Sequence, residues 1–354
     1  MADIKSSGGT DKSVVLIGCG KIGSLWDEGQ PLDSPALTHA HAVQKSPGLR
    51  LAALCDSDGK RLGEAAAKRR VSAVFSNIGE ALMVSPDIVV LATSTSMRLS
   101  ALEAIAKSPA KILVLEKPMA STLKEARQIN DLLRAGKMTT LVNYLRRWDP
   151  AIRHLREEIV VGGEFGELQR AIGVYNKGLC NNGSHQIDLM RFIFGNPVKT
   201  KSLGLNINEG APLNGDDLSL DAEIVFKTGS GFASFIMAAT DFRAYTVFEL
   251  DLFFTKGRVR ISDSGREIEK WKVEANQGLI GYNRLAKVAS LKGGLTNALE
   301  CLYVEVLQQS RGSIEAVSCG LEDGLMAVAV VEAIRDSENK DQKFVEIEKI
   351  EGVK

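Results

Sequence analysis

The sequence predicts an α/β chain of two domains. The first is doubly wound around a parallel sheet, and the second is an α+β domain on a large, mainly antiparallel sheet. Three observations carry this expectation. Over the first 145 residues short apolar runs alternate with helical stretches, a glycine turn follows the first run directly, and beyond residue 150 the strand pattern becomes apolar–polar alternation.

In chain order, residues 1–12 are polar and predict a frayed tail, leaving 13–147 as the first domain. The predicted strands are VVLI (14–17), LAALC (51–55), VSAVF (71–75), IVVLA (88–92), ILVL (112–115) and TTLV (139–142). Unbroken apolar runs of this length fit strands buried on both faces. Before the sixth lies a helix in which Thr122 and Glu125 can form a capping box. Leu123, Ala126, Ile129 and Leu133 recur at helical spacing, and Gly136 can end it. Residues 148–354 form the second expected domain. In LSLDAEIVF (218–226) and FELDLFF (248–254) every second residue is apolar, as in half-buried antiparallel strands. Helices are predicted at 151–160, 185–195, about 294–310 and 320–336.

The 354 residues carry 44 Lys+Arg against 44 Asp+Glu, so no broad charge favours nucleic acid or an anionic membrane as partner. No apolar run is long enough to span a bilayer, and the polar N-terminus lacks the apolar stretch of a secretory signal. Cys19, Cys55, Cys180, Cys301 and Cys319 are scattered. They predict reduced thiols in a cytoplasm rather than a disulfide framework or a metal site.

Gly18-Cys19-Gly20-Lys21-Ile22-Gly23 follows the first strand and opens a predicted helix, the context of a dinucleotide-binding (Rossmann) turn. Gly18 would make the tight turn, Gly20 would admit a pyrophosphate, and Gly23 would allow close packing. Asp56, closing the second strand, would accept the adenosine ribose hydroxyls and repel a 2′-phosphate, so NAD is expected ahead of NADP. Lys60 and Arg61 are expected to be a solvated helix start. The glycine-to-acid spacing is long, and the excess falls at residues 26–35, either a lid over the cofactor or a passive insertion.

Glu116-Lys117-Pro118 ends the fifth strand, at the carboxyl edge where open α/β sheets bind ligands. A partly desolvated lysine there can exchange a proton with a hydroxyl. GCGKIG, CDSD, ATSTS (92–96) and EKP, in this order, resemble the glucose–fructose oxidoreductase/inositol dehydrogenase (Gfo/Idh/MocA) family. So do NYLRRWDPAIRHLREEIVVGGEFGEL (143–168) and EDGLMAVAVVEAIRDS (322–337). The resemblance implies a hydride transfer between NAD and a sugar, cyclitol or nucleotide sugar, in a cleft between the domains. It implies Lys21, Ile22, Thr93, Ser94, Glu116 and Lys117 at the cofactor, and pairing through the second sheet into dimers or tetramers. Leu218, Leu250 and Leu252 are on apolar faces that could serve that pairing or the core.

The family's Asp-x-Gly-x-His-x-x-Asp stretch is matched by Asn181-Asn182-Gly183-Ser184-His185-Gln186-Ile187-Asp188. Asn181 replaces the first aspartate, so Lys117 and His185 are expected to share the proton work. Tyr175, Lys177, Asn181, Asn182, Asp188, Arg146 and Trp148 are candidate substrate contacts. One of Arg146 and Arg147 would bind an anionic group while the other forms a structural ion pair. Two other outcomes remain: an NAD-using glycosidase or lyase without net redox change, and a non-catalytic NAD-binding regulator.

Overall fold

The computed structural model describes residues 11–27, 29–205, 217–240, 245–348 and 350. They divide into two compact units. One comprises the chain up to Trp148 together with Thr296–Leu325; the other comprises Asp149–Leu295 and the chain from Met326.

The first unit holds six parallel strands: β1 (Lys12–Ile17), β2 (Leu49–Cys55), β3 (Val74–Phe75), β4 (Ile88–Leu91), β5 (Ile112–Leu115) and β6 (Thr139–Val142). Their order is β3-β2-β1-β4-β5-β6, so the winding reverses between β1 and β4, the switch point at which such sheets bind ligands. Every residue of β4 and β5 is buried, as their unbroken apolar runs require. The edge strand β3 is shorter than the predicted 71–75, with Val74 41% exposed, because an edge buries less of a strand. The expected tail ends early: Lys12 already pairs with Leu49, and residues 1–10 lie outside the described residues.

Helices α1 (His39–Lys45), α2 (Gly59–Arg69), α3 (Ile78–Leu82), α4 (Arg98–Ile105) and α5 (Leu123–Ala135) connect the strands. The α5 cap is as read: Thr122 Oγ1 accepts the Glu125 N–H at 3.2 Å, and Ala126, Ile129 and Leu133 are buried. Glu125 reaches back to the Ser121 N–H rather than to Thr122. Gly136 closes the helix in right-handed conformation, and the left-handed residue is the next one, Lys137.

The second unit is built on nine strands: β7 (Leu168–Tyr175), β8 (Pro197–Leu205), β9 (Leu220–Lys227), β10 (Phe232–Ala239), β11 (Phe248–Phe254), β12 (Gly257–Ser262), β13 (Glu267–Ala275), β14 (Asn283–Lys292) and β15 (Val345–Glu346). Their order is β14-β13-β12-β11-β7-β10-β9-β8-β15, antiparallel throughout except for β7 with β10. In β11 alternate residues from Phe248 to Phe254 are buried, as the sequence alternation requires. The sheet's apolar face shares one core with α6 (Pro150–Arg156), α7 (Ser184–Phe194) and the later part of α9 (Leu321–Glu338), through Ile152, Ile187, Met190, Val330 and Ile334.

The second unit differs in extent from the expected domain 148–354, because Thr296–Leu325, which carries most of α8 (Leu295–Ser310), clusters with the first unit. Side-chain bonds from Tyr303 to His39 and from Glu305 to Trp148 fasten it there. Leu250 and Leu252, at 1% and 0% exposure, are core rather than pairing surface, and Leu218, 45% exposed, precedes β9.

Candidate active site

In the first unit a cavity of about 700 Å³ opens at the carboxyl ends of β1, β2 and β4, with Gly18, Gly20, Asp56, Arg61, Thr93 and Ser94 in its wall. Each glycine of the turn is there for a different reason. Gly18 has φ +98°, and a Cβ on it would lie 2.6 Å from the Ala92 carbonyl; on Gly23 it would lie 2.0 Å from the Gly18 oxygen. A Cβ on Gly20 would meet nothing within 4 Å, so that glycine borders open space. Thr93 Oγ1 is buried and has no hydrogen-bond partner among the described residues, which leaves a donor and acceptor for a ligand. A bare glycine edge, an orphan hydroxyl and an acid at the end of β2 fit a dinucleotide. Lys21, Ile22, Gly23, Glu116 and Lys117 are not in the wall of this cavity.

The helix expected after the turn is a single wide turn, Lys21–Leu25, and α1 begins only at His39. The connecting segment is tied down by Asp27, which is 1% exposed. Its carboxylate accepts from Lys68 at 2.9 Å, Arg69 at 2.5 Å and Thr38 Oγ1 at 2.9 Å, and lies 2.8 Å from His41 Nδ1. Burial pushes the Asp27 carboxyl up, but hydrogen bonds from Arg69 and Lys68 outweigh it and bring it to about 2.

Asp56 is placed as expected but not with the expected neighbours. Its Oδ2 accepts the Cys19 N–H at 2.8 Å and Arg61 Nε at 3.2 Å; its Oδ1 accepts the Asp58 N–H at 2.8 Å and Arg61 Nη2 at 2.9 Å. Arg61 is therefore forked onto Asp56, which corrects its reading as a solvated helix start. Burial raises the Asp56 carboxyl, and the Arg61 fork and two backbone N–H groups more than reverse this. A carboxylate offers about four lone-pair positions. All are taken, so a ribose reaching Asp56 must displace Arg61.

Glu116, at the end of β5, is buried; its Oε1 takes His39 Nε2 at 2.8 Å and Asn143 Nδ2 at 2.6 Å. His39 Nδ1 in turn lies 2.8 Å from the Tyr303 hydroxyl. Burial would raise the Glu116 carboxyl, yet the His39 and Asn143 bonds hold it below its usual range. Lys117 follows, half-buried, joined to Pro118 by a cis peptide bond. The sequence reading missed His39, Asn143 and Tyr303; the only hint was that the chain has four histidines. Arg147 is the structural arginine of its pair, 2.9 Å from Asp323 and bonded to the Ser318 carbonyl, while Arg146 is half-buried. Trp148 is fully buried and donates from Nε1 to Glu305 at 2.9 Å, so it offers no stacking face to a sugar, correcting that assignment.

In the second unit a turn at Leu179–Gly183 leads into α7, and Asn181 and His185 stand half-buried four residues apart. The turn is capped by Asp217, a residue the sequence did not flag, which accepts the N–H groups of Cys180 and Asn181 at 2.8 and 2.9 Å. Gly178, at φ +90°, is required there, since its Cβ would collide with Asp217. Lys177 is half-buried and bonds Thr246 Oγ1; Asn182 is 8% exposed and donates to the Val247 carbonyl at 2.8 Å. Two expected substrate contacts are corrected here. Tyr175 is fully buried with its hydroxyl on the Leu220 carbonyl at 2.7 Å, and Asp188, 1% exposed, lies 3.6 Å from Arg191. Both are held inside the unit.

Comparison with known proteins adds to this geometry. Residues 12–144 match the family model described as oxidoreductase family, NAD-binding Rossmann fold (GFO_IDH_MocA). D-apiose dehydrogenase of Paraburkholderia graminis is 26% identical over 238 residues, which cover 62% of this chain but 58% of that enzyme. Two solved structures share the fold. A crystal structure of an oxidoreductase from Agrobacterium radiobacter in complex with NAD+, L-tartaric acid and magnesium has TM-score 0.74 and 17% identity, covering 96% of this chain and 99% of that one. The super-repressor mutant of Gal80p from Saccharomyces cerevisiae has TM-score 0.76 and 15% identity, covering 96% and 99%. Residues 12–144 are thus similar to the Gfo/Idh/MocA family of NAD-binding oxidoreductases.

Proposed function

We propose that the protein is an NAD-dependent dehydrogenase acting on the CH–OH group of a sugar, cyclitol or nucleotide sugar. The observation that carries this is the dinucleotide cradle of Gly18, Gly20, Asp56 and Thr93 in a unit whose next strand end presents Lys117. When bound, NAD supplies the hydride acceptor. The chain's own residues do the rest. Gly20 leaves room for backbone to face the pyrophosphate, Asp56 accepts the ribose hydroxyls once Arg61 yields, and Thr93 Oγ1 satisfies a polar group of the cofactor. Lys117 takes the hydroxyl proton, with His185 as the second proton-handling group and Lys177, Asn181 and Arg146 contacting substrate hydroxyls or an anionic group.

Five scattered cysteines with no disulfide recorded between them favour a reducing compartment, and we propose a cytoplasmic location. We also propose self-association through the second unit's sheet. At the turn joining β13 and β14, Leu279, Ile280 and Tyr282 are 59%, 100% and 69% exposed, an apolar tip suited to contact with another copy.

The test is a cofactor titration followed by a panel of aldoses, cyclitols and nucleotide sugars, read by absorbance of reduced nicotinamide. NAD binding with no reduction by any of them would turn the reading toward a second one, an NAD-binding regulator. Asn181, standing where the family motif has aspartate, is the observation that favours it. Product release without net reduction would indicate a glycosidase or lyase.

A further inference from the structure

Arg98 opens α4 and is 3% exposed. Its Nη2 donates to the carbonyl of Thr93, after β4, at 3.2 Å and to the carbonyl of Lys117, after β5, at 3.3 Å. Its Nε and Nη1 are buried without a hydrogen-bond partner, and no carboxylate among the described residues forms an ion pair with it. A guanidinium removed from water without an ion-pair partner, with the Glu116 carboxylate acting on it only through space, is costly to keep. A methionine or leucine would fill the same space without that cost, so the charge itself calls for a use. Burial lowers Arg98 from its usual value to about 10, which still leaves it protonated at neutral pH.

We propose that Arg98 is a positioning residue for Lys117: it ties the Lys117 peptide to that of Thr93 and, as a buried cation without an ion-pair partner, favours the neutral amine of Lys117. This rests on the reading of Lys117 as the proton carrier. A lysine of ordinary basicity is almost wholly protonated at pH 7 and makes a poor base, whereas a like charge nearby in a poorly solvated site shifts it toward the neutral form. Other ionisable groups lie around the pair. Glu116, at the end of β5, opposes the effect, but His39 of α1 and Asn143 after β6 hydrogen-bond its carboxylate. Tyr303 of α8 is held neutral by burial, Tyr144 follows β6, and Glu125 of α5 is half-exposed and screened by solvent.

The experiment measures how acetylation of Lys117 by a limiting amine-selective reagent depends on pH. Peptide mass spectrometry reads it on the full protein, with and without NAD. No substrate is needed, so the result stands apart from whether the protein turns over a sugar. In the wild type the Lys117 midpoint should lie at least about one pH unit below that of exposed Lys107. Arg98→Gln should raise it by about one unit, the order of shift that a nearby unit charge exerts in a poorly solvated site. Arg98→Lys, which keeps the charge but loses the fork, should stay within about 0.3 unit of wild type on the same grounds. A wild-type midpoint no lower than that of Lys107 overturns the proposal, and this arm needs no variant to fold. So does an Arg98→Gln midpoint that does not move, or one that Arg98→Lys matches.

Discussion

Asp56 and Arg61 show how much rides on single side chains. Asp56 alone would repel a 2′-phosphate, but forked onto Arg61 it presents a nearly neutral pair with a cation 43% exposed at its outer edge. Asp56→Ala should weaken NADH binding about 10-fold or more while leaving NADPH within about threefold, since only the diol acceptor is lost. Arg61→Met frees two acceptor positions on Asp56, so NADH should bind as tightly or tighter and NADPH about 10-fold more weakly. Fluorescence titration of both cofactors checks this; equal losses for both in Arg61→Met would show that the arginine serves only to brace Asp56. The position of Asp56 was legible because a strand pattern and a glycine turn locate it. Its partner was not, since a residue five positions on in a helix can face water or fold back, and only the packed loop decides. Tyr175 and Trp148 show the same limit. Their chemistry suits a sugar, but burial, which spacing does not reveal for a lone aromatic, assigns both to the core.

At the scale of elements, the segment between the glycine turn and α1 depends on Asp27. The carboxylate holds Lys68, Arg69 and Thr38 at once. Asp27→Asn leaves Arg69 buried beside a neutral amide and should cost about 3 kcal/mol at pH 7. The pH dependence has a definite sign. The folded Asp27 carboxyl is held at about 2 against a usual 3.8, so its contribution is complete above the usual value and is lost as pH falls from there toward 2. Urea unfolding at pH 7, 5, 4 and 3 should therefore show wild type and variant converging only below about pH 4. A gap that stays constant down to pH 3 would mean that the charge of Asp27 is not what matters. The parallel strands, α5 and the alternation in β11 were legible because their patterns repeat over several residues. The broken helix after Gly23 was not, because Gly29, Pro31 and Pro35 signal a loop without saying what anchors it.

For the molecule as a whole, the sequence located two textures but not the return of the chain. Thr296–Leu325 reads as ordinary amphipathic helix, and the pattern shows which face is buried without showing that His39 and Trp148 are its partners. If the proposed pairing holds, the purified protein should self-associate. Light scattering at micromolar concentration should return at least twice the single-chain mass, and Ile280→Lys with Tyr282→Lys should reduce it; a monomeric wild type would refute the pairing.

The central claim is the proposal that Lys117 carries the hydroxyl proton in hydride transfer to NAD, with His185 as a second proton-handling group. Once a substrate reduces NAD in the panel, the direct measurement is kcat for wild type, Lys117→Met, His185→Ala and the double variant, with NADH affinity measured alongside. Each single change should cut kcat by roughly 10²–10⁴-fold with NADH affinity nearly intact, and the double change should cost less than the product of the two. Turnover unchanged in Lys117→Met, or losses in the two single variants that simply multiply, would contradict it.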